Sequence, residues 1–254
     1  MMHRRYFMSV SLLIVTGYAF TSSAQQADSE KAKNLQYFPK NIERSELLSN
    51  MRQFAFALGV ACTHCHGTKD QTGFNLQGVD FSLDIKPTKR TAREMLRMVD
   101  KINSKLLPKI SHRSDRDLEV SCFTCHSGIA LPEMIEDRVI RTVDVDGFQA
   151  AIEDYRTVRE AYNGSAAYNF KEQPLVEVAD HLHQSGEYEA AAAISRLNLE
   201  FHPDSRQSKL RLAEAYAESG DKDKARQIYL ELLKARPDDR RLKQRLEALD
   251  RKED

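Results

Sequence analysis

Cysteine occurs four times in the 254 residues, and all four lie in two segments of one form, Ala61 to Gly67 (ACTHCHG) and Ser121 to Ser127 (SCFTCHS). Each segment sets two thiols three positions apart, with a histidine directly after the second. A disulfide, a zinc ion and a haem compete for such an arrangement. A disulfide between cysteines this close is geometrically awkward and closes so short a loop that it adds little stability. A redox-active thiol pair has no need of a histidine immediately after its second member, twice over. Zinc requires four ligands, which the cysteines with His66 and His126 could supply, but zinc does not require each histidine to adjoin its second cysteine. Haem does. Two thiols add as thioethers across the vinyl groups of one porphyrin edge, and the adjacent histidine is carried beneath the iron as its proximal ligand. The two motifs therefore predict two covalently bound haem c groups, held by Cys62 and Cys65 with His66 and by Cys122 and Cys125 with His126. His64, inside the first attachment loop, is expected to be exposed.

Whether the sixth position of each iron is filled separates electron transfer from catalysis. The elements that must position a sixth ligand are two helices. SELLSNMRQFAFALGVACTHCH carries Leu47, Met51, Phe54 and Leu58 at helical spacing, with Ser45 as an N-cap. TKRTAREMLRMVDKINSKLL opens on a capping box, Thr91 and Glu94, and places Ala92, Met95, Val99, Ile102 and Leu106 on one stripe. Met51, Met95 and Met98 can each reach an iron or fill a core gap, and spacing alone leaves both readings open.

The segments NLQYFPKNIERSELLSNMRQFAFALGVACTHCH, KPTKRTAREMLRMVDKIN and VSCFTCHSG together resemble the cytochrome subunit of photosynthetic reaction centres, over about residues 33 to 130. In that family a helix precedes each C-x-x-C-H, and for three of its four haems a methionine on the helix is the sixth ligand. The resemblance implies Met51, eleven residues before Cys62, as one sixth ligand and Met95 as the other, with Met98 left to the core. The chain departs from the family in having two haem motifs, so it looks like half of that subunit. One family haem takes its second axial ligand from a histidine in a gap comparable to that of His112, which is an alternative ligand or a solvent-facing loop residue. Lys89, Arg90 and Arg93 either pair with haem propionates or form a solvated face.

Equal numbers of basic and acidic side chains, 38 each, leave no excess of the kind that marks a general nucleic-acid binder. Arg4 and Arg5 precede an apolar run from about Phe7 to Phe20 and then Ser22, Ser23 and Ala24, the form of a secretory leader cleaved before Gln25. The run is short against the roughly 20 residues of a membrane span. The expected mature chain is exported, periplasmic or extracellular, with no membrane span. Removing Arg4 and Arg5 from the 38 basic residues gives it a formal charge of minus two.

Beyond about Leu175 the chain repeats. Gly186 and Gly220, Pro203 and Pro237, Ala191 and Ala225, and Ala179 and Ala213 are each 34 residues apart. Glycine in a turn, proline after a second helix and small residues where helices approach closely resemble the tetratricopeptide repeat. The expected organisation is a leader (1–24), a dihaem cytochrome c domain (25–135), a linker with one helix over Val145 to Tyr162 (136–172), and two helical-hairpin repeats with a capping helix (173–254). The fold class is mainly α. The expected function is one-electron transfer through two His/Met-ligated haems, with the repeats docking the carrier to a redox partner or to itself. The alternatives are a dihaem enzyme such as a peroxidase, with one open iron, or an electron donor to a photosynthetic reaction centre.

Overall fold

The computed structural model describes residues 32–111 and 118–251, so the leader and His112 lie outside the described residues. Within them the chain forms ten α-helices and no strand. Helix α1 spans Arg44–Leu58, α2 Pro87–Lys101, and α3 the five residues Cys122–His126. A π-turn, Ile102–Leu106, and a 3₁₀ turn, Leu107–Lys109, continue α2. Then come α4 (Ile135–Asp146), α5 (Phe148–Tyr162), α6 (Glu172–Gln184), α7 (Tyr188–Phe201), α8 (Arg206–Glu218), α9 (Lys222–Ala235) and α10 (Arg240–Arg251).

Two helix starts differ from expectation. Ser45 does not cap α1, which begins one residue earlier after an extended Glu43 that makes no side-chain cap bond. The second helix starts at Pro87, not at a Thr91 capping box, because proline's fixed φ and missing N–H suit the first turn. Thr91 instead bonds back to the Pro87 carbonyl at 3.3 Å. A capping box does form at α3, between Ser121 and Thr124.

The chain packs in two regimes. From Ile135 onward a continuous core joins α4 to α8, with Val139, Tyr155, Leu175, Val178, Leu182, Ile194 and Leu197 essentially inaccessible. Among described residues before Leu131, the buried apolar side chains are Ala57, Leu107 and Ile129. That same segment exposes Phe56, Phe74, Phe81, Leu83, Met95, Met98 and Leu106, Phe74 to 88%. So much apolar surface in one segment marks a unit whose core is completed by something other than its own side chains.

The stretch read as a linker with one helix contains two. Ile135, Val139 and Val143, four apart, bury one face of α4. Gly147, at φ 87°, breaks the chain between α4 and α5 in a conformation that costs glycine little. Helix α5 buries the expected face: Tyr155 and Val158 are inaccessible, and Phe148, Ile152 and Tyr162 pack against the core. Tyr155 meets Phe170 and Phe201 at ring distances of 5.8 and 5.9 Å. Arg159 lies 4.3 Å over the Phe201 ring and donates to the Phe170 carbonyl at 2.9 Å. The pair α4–α5 thus stacks on α6–α7 as one more helical hairpin.

In the repeats, the paired alanines Ala179 and Ala213, and Ala191 and Ala225, are all buried where helices cross. Helix α10 caps the stack, with Leu242 and Leu249 covering Ala213, Tyr229 and Leu232.

Candidate functional site

Both C-x-x-C-H motifs are set by the end of α1. The helix stops at Gly59, at φ 64°, whose N–H returns to the Phe56 carbonyl, and the first motif follows as a 3₁₀ turn over Cys62–His64. The second motif is α3 itself. Gly128, just beyond it, donates its N–H to the Ala57 carbonyl at 2.9 Å. A Cβ on Gly59 would stand 2.0 Å from the Gly128 oxygen, so the two backbones touch at a point where only glycine fits. Beside this joint Phe56 stacks on Phe123 at 5.5 Å, nearly parallel at 9°. The structure therefore holds the second motif against the end of α1, three residues before Cys62, through backbone and ring contacts.

The histidines are held differently. His126 Nδ1 lies 3.0 Å from the Ile129 carbonyl. A carbonyl can only accept, so the proton sits on Nδ1 and the Nε2 lone pair is left for a ligand. His66 Nδ1 is buried without a hydrogen-bond partner, and the ring lies 5.0 Å from Phe81. Burial, with the nearby Lys89 ammonium, pushes its pKa below the ordinary histidine value and keeps it neutral, the state in which imidazole binds metals. Burial raises the Cys65 and Cys122 thiols, opposite to the lowered pKa that a redox-active pair needs. Among the described residues no group of three or more His, Cys, Asp and Glu converges as a zinc site would. A His66 ring pushed towards its neutral form, a His126 whose Nε2 is left open, raised Cys65 and Cys122 thiols and uncovered apolar side chains fit covalent haem.

Several residues that spacing could not single out shape the first motif. Lys86 grips the Thr63 carbonyl within the attachment loop and the Gln71 carbonyl at 2.6 Å. Thr63, buried, donates to the Gly73 carbonyl, and Thr88 donates to the His64 carbonyl at 2.6 Å. Lys89 is buried and bonds the Phe81 and Leu83 carbonyls at 2.9 and 2.7 Å and Asp84 at 2.8 Å. Arg93 takes both Asp84 oxygens at 2.7 and 2.9 Å. Lys89 and Arg93 therefore hold the loop that carries Phe81, while Arg90 is exposed. Such internal roles leave no pattern in a sequence beyond the charge itself.

Met51 is half-buried on α1. Met95 is 41% exposed and Met98, expected in the core, is 47% exposed, since one turn separates them on a face that no other element covers. Helix α2 packs closely on neither α1 nor α3. It is tied to them by polar bonds at its far end and through the segment 34–38, where Tyr37 donates to both Asp100 oxygens at 2.8 Å. Burial and the Asp100 carboxylate push the Tyr37 phenol up to about 12, so it stays a donor. His64 is exposed. A cleft at the second motif is lined by Cys125, His126 and Ile129 on one side and by Met134 and Asp137 at the start of α4 on the other.

Residues 71–158 match the family model of the photosynthetic reaction centre cytochrome C subunit, and residues 179–249 match that of the tetratricopeptide repeat. The first match takes in α2, the second C-x-x-C-H, α4 and most of α5, and begins after the first motif. No curated protein matches the chain. These similarities support a cytochrome-like electron carrier with haem c, joined to repeats of a kind that engage other proteins.

Proposed function

We propose that the chain is an exported dihaem cytochrome c that carries single electrons, docked to a redox partner by its repeats. Cys62 and Cys65 hold one haem by thioethers and Cys122 and Cys125 the other, with His66 and His126 as proximal ligands and Met51 and Met95 as sixth ligands. Haem so ligated takes up and releases one electron without making or breaking a bond. The chain's own part is to hold its ligands still and to keep water away. His126 is oriented by the Ile129 carbonyl, and the first attachment loop is pinned by Lys86 and Thr88. Phe56, Phe81, Leu83 and Leu106 offer the apolar surface that a macrocycle needs. The α1–α3 joint holds the second motif against the end of α1, just before the first motif, an arrangement that favours passage from one haem to the other. In the repeats, Leu230 is the one large apolar residue that stands exposed among the described residues, so docking there relies on charged and polar groups.

One observation carries this reading: a helical unit around two C-x-x-C-H motifs that half-buries His66 and His126 and leaves much of its apolar surface bare. Intact mass spectrometry of denatured protein, from a host able to attach haem, tests it. Two haems per chain, on a mature form beginning at Gln25, are expected because thioether bonds survive denaturation. A mass without covalent haem rejects the proposal.

A further inference from the structure

Asn103 is the second residue of the π-turn that continues α2. A π-turn inserts an extra residue and swings the side chains beyond it off the helical stripe, and such turns are frequent at functional sites. The Asn103 side chain meets the segment that leads into α3. Its Nδ2 donates to the Val120 carbonyl and its Oδ1 accepts from the Val120 N–H, both at 2.8 Å. The amide thus pairs with Val120 as a neighbouring strand would, satisfying both backbone groups at once, and Val120 stands two residues before Cys122. One turn earlier, Asp100 receives Tyr37, which meets Phe38 edge-on at 5.1 Å, and Phe38 stacks on Phe54 of α1 at 6.3 Å. The end of α2 is therefore tied to the second motif on one side and to α1 on the other.

We propose that Asn103 is the positioning residue of the second haem site: its paired bonds to Val120 fix the register between α2, which carries Met95, and the Cys122–His126 helix. Helix α2 packs closely on neither α1 nor α3, so apolar contact does not set this register and a directional clamp is needed. The inference rests on the dihaem reading above. A side chain that merely staples a loop would support folding in general. A register clamp acts on one iron and leaves the other alone.

The test compares wild type, Asn103→Ala and Asn103→Asp, each as full-length protein with its attached haems. In Asn103→Ala both haems stay covalently bound, because the four cysteines are intact. The methionine-to-iron charge-transfer absorption falls by up to about half, the share of one of the two haems, and one of the two reduction potentials shifts while the other holds. Asn103→Asp still accepts from the Val120 N–H but sets a carboxylate oxygen against the Val120 carbonyl, so at neutral pH its loss is at least as large as that of Asn103→Ala. If Asn103→Ala does not accumulate, Asn103→Asp is judged by the same two readings. Unchanged absorption and potentials overturn the clamp, as do equal shifts of both potentials, which indicate general support. Wild-type protein without covalent haem overturns the cytochrome reading itself, a result distinguishable from either.

Discussion

At each C-x-x-C-H motif, what holds one ring nitrogen of the histidine determines what the other can do. His126 has its Nδ1 proton placed by a carbonyl, whereas His66 relies on burial, and this difference could only be seen once the chain was folded. The cysteines and histidines of the proposed attachment stand out in the sequence, because thioether attachment demands a fixed local spacing. Met51 was legible only in part, since an apolar stripe marks a core residue and a ligand alike. Met51→His tests it: a nitrogen ligand stabilises oxidised iron more than a thioether does, so one potential should fall. The expected drop is on the order of 0.2 V, well within the roughly 0.8 V that axial ligation spans. The optical spectrum should remain six-coordinate and low-spin, and unchanged potentials in a voltammetric titration would return Met51 to the core. Asp84 makes a second prediction. Its bonds to Arg93 and Lys89 hold its carboxyl well below the usual range. A depressed folded pKa stabilises the fold above the unfolded value of about 4 and ceases to do so as pH falls toward the folded one. Asp84→Asn should therefore cost about 1–2 kcal/mol at neutral pH, the scale of charge-assisted bonds at a partly solvated site, and flatten the loss of stability between about pH 5 and pH 2. Thermal unfolding across that range measures both.

Helices were easier to find than their ends or their neighbours. The 3.6-residue period of Leu47, Met51, Phe54 and Leu58 located α1, and the 34-residue offset located α6 to α9. Helix α4 escaped because VIRTVDVD is rich in β-branched residues and alternates apolar with polar ones, although Ile135, Val139 and Val143 do keep a helical interval. The start of α2 was misplaced because Thr91 and Glu94 imitate a capping box while Pro87 already supplies a first turn. The close approach of α1 to α3 was not legible at all, since it depends on two glycines 69 positions apart by their numbers, Gly59 and Gly128, meeting in space. Gly59→Ala should expose that joint. A left-handed φ costs a side chain roughly 1–2 kcal/mol, and a Cβ against a backbone oxygen forces the helix end to move, so a loss of about 2–4 kcal/mol is expected. Gly128→Ala keeps a similar backbone strain, at φ 96°, without any contact for its Cβ. Comparing the two variants by thermal unfolding separates the clash from the strain, and equal losses would show that the α1–α3 approach is not tight.

At the scale of the molecule, two kinds of core meet near Leu131. Among the described residues, the segment before it has few buried apolar side chains of its own. The segment after it forms a helical stack from α4 to α10. The expected boundary near Leu175 followed the repeat period, but burial follows contact, and α4 and α5 lay their apolar faces on the first repeat. The cytochrome subunit match ends at residue 158, short of that boundary, and runs over α4 and most of α5. We therefore place the division between folding units just before Ile135. A fragment of residues 132–254 should be helical and cooperative without haem, since it keeps Ile135, Val139, Val143, Tyr155 and Val158 over Leu175, Val178 and Leu182. A fragment of residues 171–254 loses that cover. It bares an apolar helix face and the partners of Phe201, a deficit of at least about 3 kcal/mol on the scale of large-to-small core changes. In a unit of this size that corresponds to a melting temperature lower by roughly 10–20 °C. Circular dichroism melts of the two fragments decide the matter. Equal melting temperatures would mean that α4 and α5 rest on the repeats without sharing their core, and the division would return to Leu175.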